Sequence, residues 1–485
     1  MGRAVELSEH QSEAVELLRA IVGPSRLVGA AGTGKSTVGI QLPSLLPLHG
    51  RVVFVAPTHT ALRVLRGKAV EMGLDAPDTK TVTSLLWGAP QILHCPDCPP
   101  SKRRAAKPGH PPCDHLTPGE PECPHIGSPL ACGEQDYSQN KLEPNPFWED
   151  VDHVIVDESS MLQKDDYDAL LVGAENLSGR LIFVGDHCQL PPVYTEYERR
   201  RTGIPDGWGC LTHEELPEAR LTVPRRQEGG QVLAGARAVR AVIEGEAPAP
   251  REFVSTLVQA GLAEPSTSTR LLAYGVDECT PANARGALAM IANAFDPEAW
   301  RDCAMVVHTN KQRCAWNDAA RRAAGRAGAW PEPGDVLLSA SKFSARDARG
   351  WTVDVTKWSR AVVREVFGAS TPSECQARRC RPDGEHVSVS IELEWHDVPL
   401  HVCLDVSELS VESPRGKTAR WLWGFAMTVH AAQGSGWAHV LYQDSTAFPE
   451  ARRTYTAATR ARSTLLVFPS PGWGQQVVPA SLAVG

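Results

Sequence analysis

Nowhere in its 485 residues does the chain carry eighteen consecutive apolar residues, the length a membrane-crossing helix needs. A basic start followed by a short apolar stretch is missing too. The first turns hold Glu6, Glu9 and Glu13 instead, so no secretion signal is expected. The chain is therefore expected to be soluble and cytoplasmic, nucleoid-associated or in a phage-infected host, with no membrane partner. A basic excess is also absent. With 49 Lys and Arg against 57 Asp and Glu the net charge is −8. That excludes a uniformly basic coat for nucleic acid but leaves room for a local basic groove. No internal repeat or long low-complexity tract occurs, and the length suffices for roughly two to four domains with ample core.

What the chain does have is a complete phosphate-loop pattern, Gly29-Ala30-Ala31-Gly32-Thr33-Gly34-Lys35-Ser36, directly after the apolar Leu27 and Val28. The glycines let backbone N–H groups turn inward on phosphates, and Lys35 reaches the β/γ oxygens. Ser36, with Thr37 beside it, opens the following helix where its hydroxyl can ligate Mg²⁺. ATP and Mg²⁺ are the expected ligands. A second apolar run, Val154-Ile155-Val156, ends in Asp157-Glu158, which presents Asp157 to the metal and Glu158 to the attacking water. A third, Leu181-Ile182-Phe183-Val184, runs into Gly185-Asp186-His187-Cys188-Gln189-Leu190-Pro191-Pro192-Val193.

Taken in order, these strings resemble the superfamily-1 DNA helicases of the RecD/Dda type, nearly end to end. Leu7 to Gln11 is similar to the Q motif, in which Gln11 would read adenine. Ala56 to Ala61 is similar to motif Ia and Thr81 to Leu85 to motif Ib. Asp157 to Met161 and Gly185 to Val193 resemble motifs II and III. Leu221 to Gln227 resembles motif IV, Met427 to Ser435 motif V, and Tyr455 to Arg462 motif VI. The resemblance implies a γ-phosphate sensor at Gln189, arginine fingers at Arg226 and Arg460, and a nucleotide contact at Gly434. It implies DNA contacts at Pro57, Thr58, His59, Thr83, Ser84, Thr428 and His430. Thr428 and His430 have capping of local backbone as their ordinary alternative. Two departures stand out. Pro224-Arg225 replaces the family's usual apolar pair, leaving Arg225 as the alternative to Arg226, and Gly436 stands where the family often has an acid.

The expected architecture is α/β, with two RecA-like P-loop NTPase domains and two insertions. Residues 1–88 and 147–221 form the first RecA-like domain, and 222–333 with 416–485 the second. The second contains Met305 to Lys311, which resembles a strand and Thr-Asn turn of these helicases. From 334 to 415 the pattern turns alternating and β-branched at Thr352–Val355, Val387–Leu393 and His401–Leu404, suggesting a small SH3-like barrel. Arg378, Arg379 and Arg381 lie in an exposed excursion within it.

Residues 89–146 are Pro-rich, lack any helical or strand period, and hold Cys95, Cys98, Cys113, Cys123 and Cys132 with His94, His110, His115 and His125. A structureless excursion of this length inside a compact domain needs something other than a core to hold it. Cys95-x-x-Cys98 is a two-thiolate knuckle, and Cys113, Cys123, Cys132, His115 and His125 offer partners for a tetrahedral zinc site. An iron–sulfur cluster is the alternative, and disulfides are disfavoured in a reducing compartment. The other cysteines, Cys188, Cys210, Cys279, Cys303, Cys314 and Cys403, read as small buried hydrophobes, and Cys375 with Cys380 lacks nearby partners.

The function implied is an ATP-dependent helicase moving 5′→3′ on single-stranded DNA and opening forks, working as a monomer, with replication or recombination proteins as possible partners. The alternatives are a DNA-stimulated ATPase switch or recruitment factor without unwinding, and an RNA helicase, because no residue reads a 2′-OH decisively.

Overall fold

The computed structural model describes residues 7–46, 48–75, 77–87, 91–92, 135–136, 150–175, 177–194, 196–223, 230–250, 253–266, 269–273, 299–326, 328–341, 343–370, 385–412, 421–444 and 450–468. The Cys/His-rich segment, Arg225, Arg226, Cys279, and the loop with Arg378, Arg379 and Arg381 lie outside them, apart from the backbone at 91–92 and 135–136.

The first unit runs α1 (Glu9–Ala20), β1 (Ser25–Gly29), α2 (Lys35–Leu45), β2 (Val52–Ala56), α3 (His59–Glu71), β3 (Thr79–Thr81) and α4 (Val82–Trp87). After two short strands, β4 (Gln91–Ile92) and β5 (Gln135–Asp136), it continues with β6 (His153–Val156), α5 (Lys164–Ala174), β7 (Leu181–Gly185), α6 (Glu196–Thr202) and β8 (Glu218–Leu221). The apolar runs Val52–Val55, Val154–Val156 and Leu181–Val184 are buried strands, as continuous rather than alternating hydrophobicity requires of a sheet covered on both faces. The sheet has the order β3-β2-β6-β7-β1-β8, and every ladder in it is parallel. Helices on either side bury two cores, one around Leu18, Leu27 and Ile182, the other around Val156, Phe183 and Trp208. Arg180 ties helix to sheet by donating from Nη1 to the Leu18 carbonyl and from Nη2 to the Arg19 carbonyl at the open end of α1. β4 and β5 pair antiparallel as a separate two-stranded ribbon, which sets residues 91–92 of the Cys/His-rich excursion beside residues 135–136.

The second unit begins with α7 (Gln231–Ile243) and α8 (Phe253–Leu262), followed by β9 (Arg270–Ala273), β10 (Cys303–Val307) and α9 (Asn310–Ala323). Thr309 caps α9 by accepting from the Gln312 amide, and Gln312 Oε1 accepts in return from the Thr309 amide. The chain leaves for an antiparallel sheet of β11 (Val336–Ser339), β14 (Arg360–Ala369), β15 (His386–Leu393), β16 (His396–Asp405) and β17 (Trp421–Trp423). Within it lies a hairpin of β12 (Phe343–Arg346) and β13 (Thr352–Val355). An isolated bridge from Asp347 to Leu400 fastens this hairpin to the edge strand β16. The chain then returns as β18 (Ala426–Thr428), α10 (Val429–Ala432), β19 (Trp437–Gln443), α11 (Ala451–Ala458) and β20 (Ala461–Phe468). The second parallel sheet has the order β18-β10-β19-β20-β9.

One expected boundary moves. Trp421–Trp423, assigned from sequence to the second parallel domain, pairs antiparallel with β11 and packs into the core of the inserted sheet. Three consecutive apolar residues suit either sheet, and pairing rather than pattern decides which one they join. Cys188, Cys210, Cys303 and Cys403 are buried as expected, whereas Cys314 is only half-buried. Among the described residues no helix is long and apolar enough to cross a membrane.

Candidate nucleotide and nucleic-acid site

The phosphate loop joins the carboxyl end of β1 to the amino end of α2, where parallel sheets collect ligands. Its glycines have steric causes. A Cβ on Gly29 would lie 2.6 Å from Thr33 Oγ1 and 2.9 Å from the Leu221 carbonyl oxygen, and Gly34 adopts φ +87° with Gln11 Nε2 2.7 Å from where its Cβ would be. Thr33 is buried and donates to the Ala30 carbonyl at 2.9 Å. Lys35 Nζ curls back over the loop and donates to the Gly29 and Ala30 carbonyls, each at 2.8 Å. Ser36 and Thr37 follow, half-buried, in the first turn of α2. Gln11 is buried against the same loop. Its Nε2 donates to the Thr33 carbonyl at 3.1 Å, while its Oε1 accepts from the Ser8 amide at 3.1 Å.

Across the sheet, β6 ends at Asp157, whose Oδ1 accepts from the Glu158 amide at 2.9 Å. Burial, and then the neighbouring Glu158, push the Asp157 carboxyl up to about 6, against the pull of Lys68 and Lys35. Such an excess of buried negative charge is what a divalent cation relieves, so the donor set of Asp157 with Ser36 fits Mg²⁺. Glu158 is held in the left-handed region at φ +51°, a conformation that costs a non-glycine residue free energy and turns its side chain away from the strand direction. The Ser159 hydroxyl donates to the Val184 carbonyl at 2.9 Å and locks this corner to β7.

Motif III, at the end of β7, is gripped from the other unit. The Leu190 amide donates to Thr456 Oγ1 at 3.0 Å, Gln433 Nε2 donates to the Leu190 carbonyl at 2.9 Å, and Arg452 donates to the His187 carbonyl. Gln189 is buried, and its Oε1 finds no partner among the described residues. Arg460 is buried in the same seam. Its Nε donates to the Thr456 carbonyl at 3.0 Å, Nη1 to the Ser435 carbonyl at 3.1 Å and Nη2 to Thr459 Oγ1 at 3.1 Å. Burial lowers its guanidinium pKa, and the opposing field comes foremost from Glu158. The arginine of one unit therefore feels the acid of the other.

Residues 6–253 match the family model of an AAA domain, and residues 424–468 match that of the UvrD-like helicase C-terminal domain. The chain belongs to the AAA-domain family. With its carboxyl-terminal match, this AAA-family chain is a superfamily-1, ATP-dependent helicase. Among solved structures it is similar to a Pif1 helicase from Bacteroides in complex with ADP-AlF3 and ssDNA, at 14% identity and TM-score 0.47, covering 99% of this chain and 95% of that one. It is also similar to a Pif1 helicase from Candida albicans, at 14% identity and TM-score 0.43, covering 96% and 95%. No curated protein matches it in sequence.

The residues expected to meet nucleic acid follow strand ends in both sheets of this AAA-family chain: Pro57 and Thr58 lie between β2 and α3, His59 opens α3, Thr83 and Ser84 lie in the first turn of α4, Thr428 ends β18 and His430 lies in α10. Thr58 caps α3 by accepting from the Ala61 amide at 3.2 Å, and Thr428 caps α10 by accepting from the Ala431 amide at 3.4 Å. Motifs Ia and V meet directly. A Cβ on Gly434, which adopts φ +74°, would lie 3.7 Å from Thr58 Oγ1 and 3.8 Å from Ala61 Cβ. Ser84 donates its amide to Thr81 Oγ1 at 3.1 Å, and Thr83 beside it is exposed. Burial, reinforced by Arg453, pushes the His430 imidazole down to about 4, so it is neutral at pH 7.

Sequence reasoning missed one group. Asp186, fully buried, accepts on Oδ1 from Arg240 Nη1 at 2.9 Å and from the Cys188 amide at 3.1 Å, and on Oδ2 from the Tyr455 hydroxyl at 2.8 Å. Burial alone would raise its carboxyl, but Lys35, 3.9 Å away, and Arg240 bring it below the usual range. Asp186 and Tyr455 were visible inside their motifs. Arg240, in the last turn of α7, carries no local signal.

Proposed function

We propose that the chain is a DNA helicase of the RecD/Dda type that translocates 5′→3′ on single-stranded DNA and separates duplex at forks, driven by hydrolysis of Mg-ATP. The observation that carries this reading is the seam at motif III, where Thr456 and Gln433 of the second unit hydrogen-bond Leu190 of the first and Arg460 is buried beside them. A nucleotide on the phosphate loop would be completed only when both units close around it, which couples hydrolysis to domain motion.

In this reading Lys35 and the amides of residues 29–37 hold the phosphates, and Gln11 contacts the adenine edge. Ser36 and Asp157 would hold Mg²⁺, which offsets the charge on the β/γ oxygens. Glu158 orients the attacking water and accepts its proton. Gln189, whose amide oxygen finds no partner among the described residues, reads the γ-phosphate. Arg460 and Arg226 stabilise charge on the transferred phosphoryl group, and Gly434 lines the nucleotide cleft. Pro57, Thr58, His59, Thr83, Ser84, Thr428 and His430 face the strand, and the contact of Thr58 with Gly434 supports a continuous track across both units. The antiparallel insertion acts as the SH3-like cover over that track.

Strand-displacement assays on matched DNA and RNA forks test this. Unwinding is expected on 5′-tailed DNA alone. Activity confined to 3′ tails would refute the polarity, ATP hydrolysis without displacement would favour the switch or recruitment factor, and preference for RNA would overturn the DNA assignment.

A further inference from the structure

The Tyr455 hydroxyl reaches across the seam to the phosphate loop itself. It donates to Asp186 Oδ2 at 2.8 Å, and it accepts from the Ala31 amide at 3.1 Å and from Arg240 Nη1 at 3.1 Å. A phenol has one donor and two acceptor sites, so this hydroxyl is saturated by three partners drawn from the loop, from motif III and from α7. Tyr455 is 2% exposed, so bulk water offers little substitute for any of the three. Arg240 is itself fixed by Glu244, to which Nη2 donates at 3.0 Å, and its charge is reinforced by Asp186.

The position decides what this arrangement can do. Ala31 is the third residue of the loop, and the carboxylate that Tyr455 grips lies 3.9 Å from Lys35 Nζ, the ammonium that serves the β/γ oxygens. The hydroxyl therefore stands at the γ-phosphate end of the site. Resting on the ATPase reading above, we propose that Tyr455 is a positioning residue through which the second unit distinguishes triphosphate from diphosphate. Its hydroxyl fixes the Ala31 peptide and the Asp186 carboxylate, and these set the loop and Lys35 for a γ-phosphate. Removing the hydroxyl deletes none of the α/β-phosphate contacts of the loop. It frees the Ala31 amide and takes a donor from a buried carboxylate, a change felt only where the γ-phosphate sits.

The test uses full-length Tyr455→Phe, which deletes one oxygen. Affinities for Mg-ADP and Mg-ATPγS are measured by titration, and kcat and KM for ATP are measured with and without single-stranded DNA. A hydrogen bond to a charged group predicts loss of ATPγS affinity and of DNA-stimulated kcat by about tenfold or more, with ADP affinity within about twofold of wild type. Equal weakening of both nucleotides would assign Tyr455 to packing and overturn the proposal, as would an ATPγS affinity and kcat unchanged within twofold. Arg240→Lys, which keeps the charge but loses the fork that meets Tyr455 and Glu244, should show the same selective loss and decides the matter if the first variant does not fold. A wild-type protein that binds neither nucleotide would sink the ATPase reading instead, a result distinguishable from either outcome above.

Discussion

Glu158 is a residue whose conformation and chemistry make the same demand. A left-handed backbone at a strand tip is held only where the surroundings over-determine it, and here the Asp157 carboxylate accepts the Glu158 amide while Ser159 anchors to β7. Glu158→Gln keeps that shape and removes the base, so it should still bind Mg-ATP yet lose hydrolysis by roughly 10²–10⁴-fold. Lys35→Ala should lose nucleotide binding itself, because the only ammonium within the loop disappears. Equilibrium binding and phosphate-release rates separate the two, and a Glu158→Gln enzyme that turns over at the wild-type rate would overturn the assignment of the base. Lys35, Asp157 and Glu158 were legible because each sits in a short string whose spacing is fixed by one loop or one strand end. Arg240 was not, because the partners that place it in the site, Asp186 and Tyr455, are 54 and 215 residues away in the chain, and only packing brings them together.

The turn between β15 and β16 makes contacts beyond its own sheet. Trp395 lies under the Arg63 guanidinium of α3, 5.5 Å from the ring centroid, and Glu394 Oε1 accepts from Trp437 Nε1 at 3.0 Å with Arg360 Nη1 3.6 Å away. The insertion thus touches the helix that follows motif Ia in one unit and the strand that follows motif V in the other, spanning the seam. A cation–π contact of this kind is worth about 0.5–1 kcal/mol, so Arg63→Ala and Trp395→Ala should each speed dissociation of single-stranded DNA by about two- to fivefold. In stopped-flow release the double variant should be no faster than the faster single one. Fully additive rates would show that the contact does not hold the strand track shut. The strands β2, β6, β7, β13, β15 and β16 were all readable, since each is an apolar or alternating run bounded by turn residues. β17 was misassigned because a three-residue strand carries too little pattern to name its partner, and the contact of Trp395 with Arg63 had no sequence signature at all.

For the molecule as a whole, a net charge of −8 means that grip on a polyanion must be local, and separation of a duplex needs a rigid edge at the mouth of the track. The segment between motifs Ib and II is the sequence's candidate for that edge. β4 and β5 pair residues 91–92 with 135–136 as a two-stranded ribbon of their own within this segment. Its apolar content is too low for a core, and a structural zinc, worth on the order of 10 kcal/mol to a small domain, would supply the stiffness. About one zinc per chain is expected, held by Cys95, Cys98 and two of Cys113, Cys123, Cys132, His115 and His125, with an iron–sulfur cluster as the alternative. Replacing Cys95 and Cys98 by Ser should release the metal and impair unwinding more than DNA-stimulated ATP hydrolysis, because Lys35, Asp157 and Arg460 lie in or beside elements outside this segment. Elemental analysis of protein purified without chelator measures the first claim directly. Iron with acid-labile sulfide would replace zinc by the cluster, absence of any metal would remove the site, and equal loss of unwinding and ATPase would show that the segment stabilises the motor and does not split the fork.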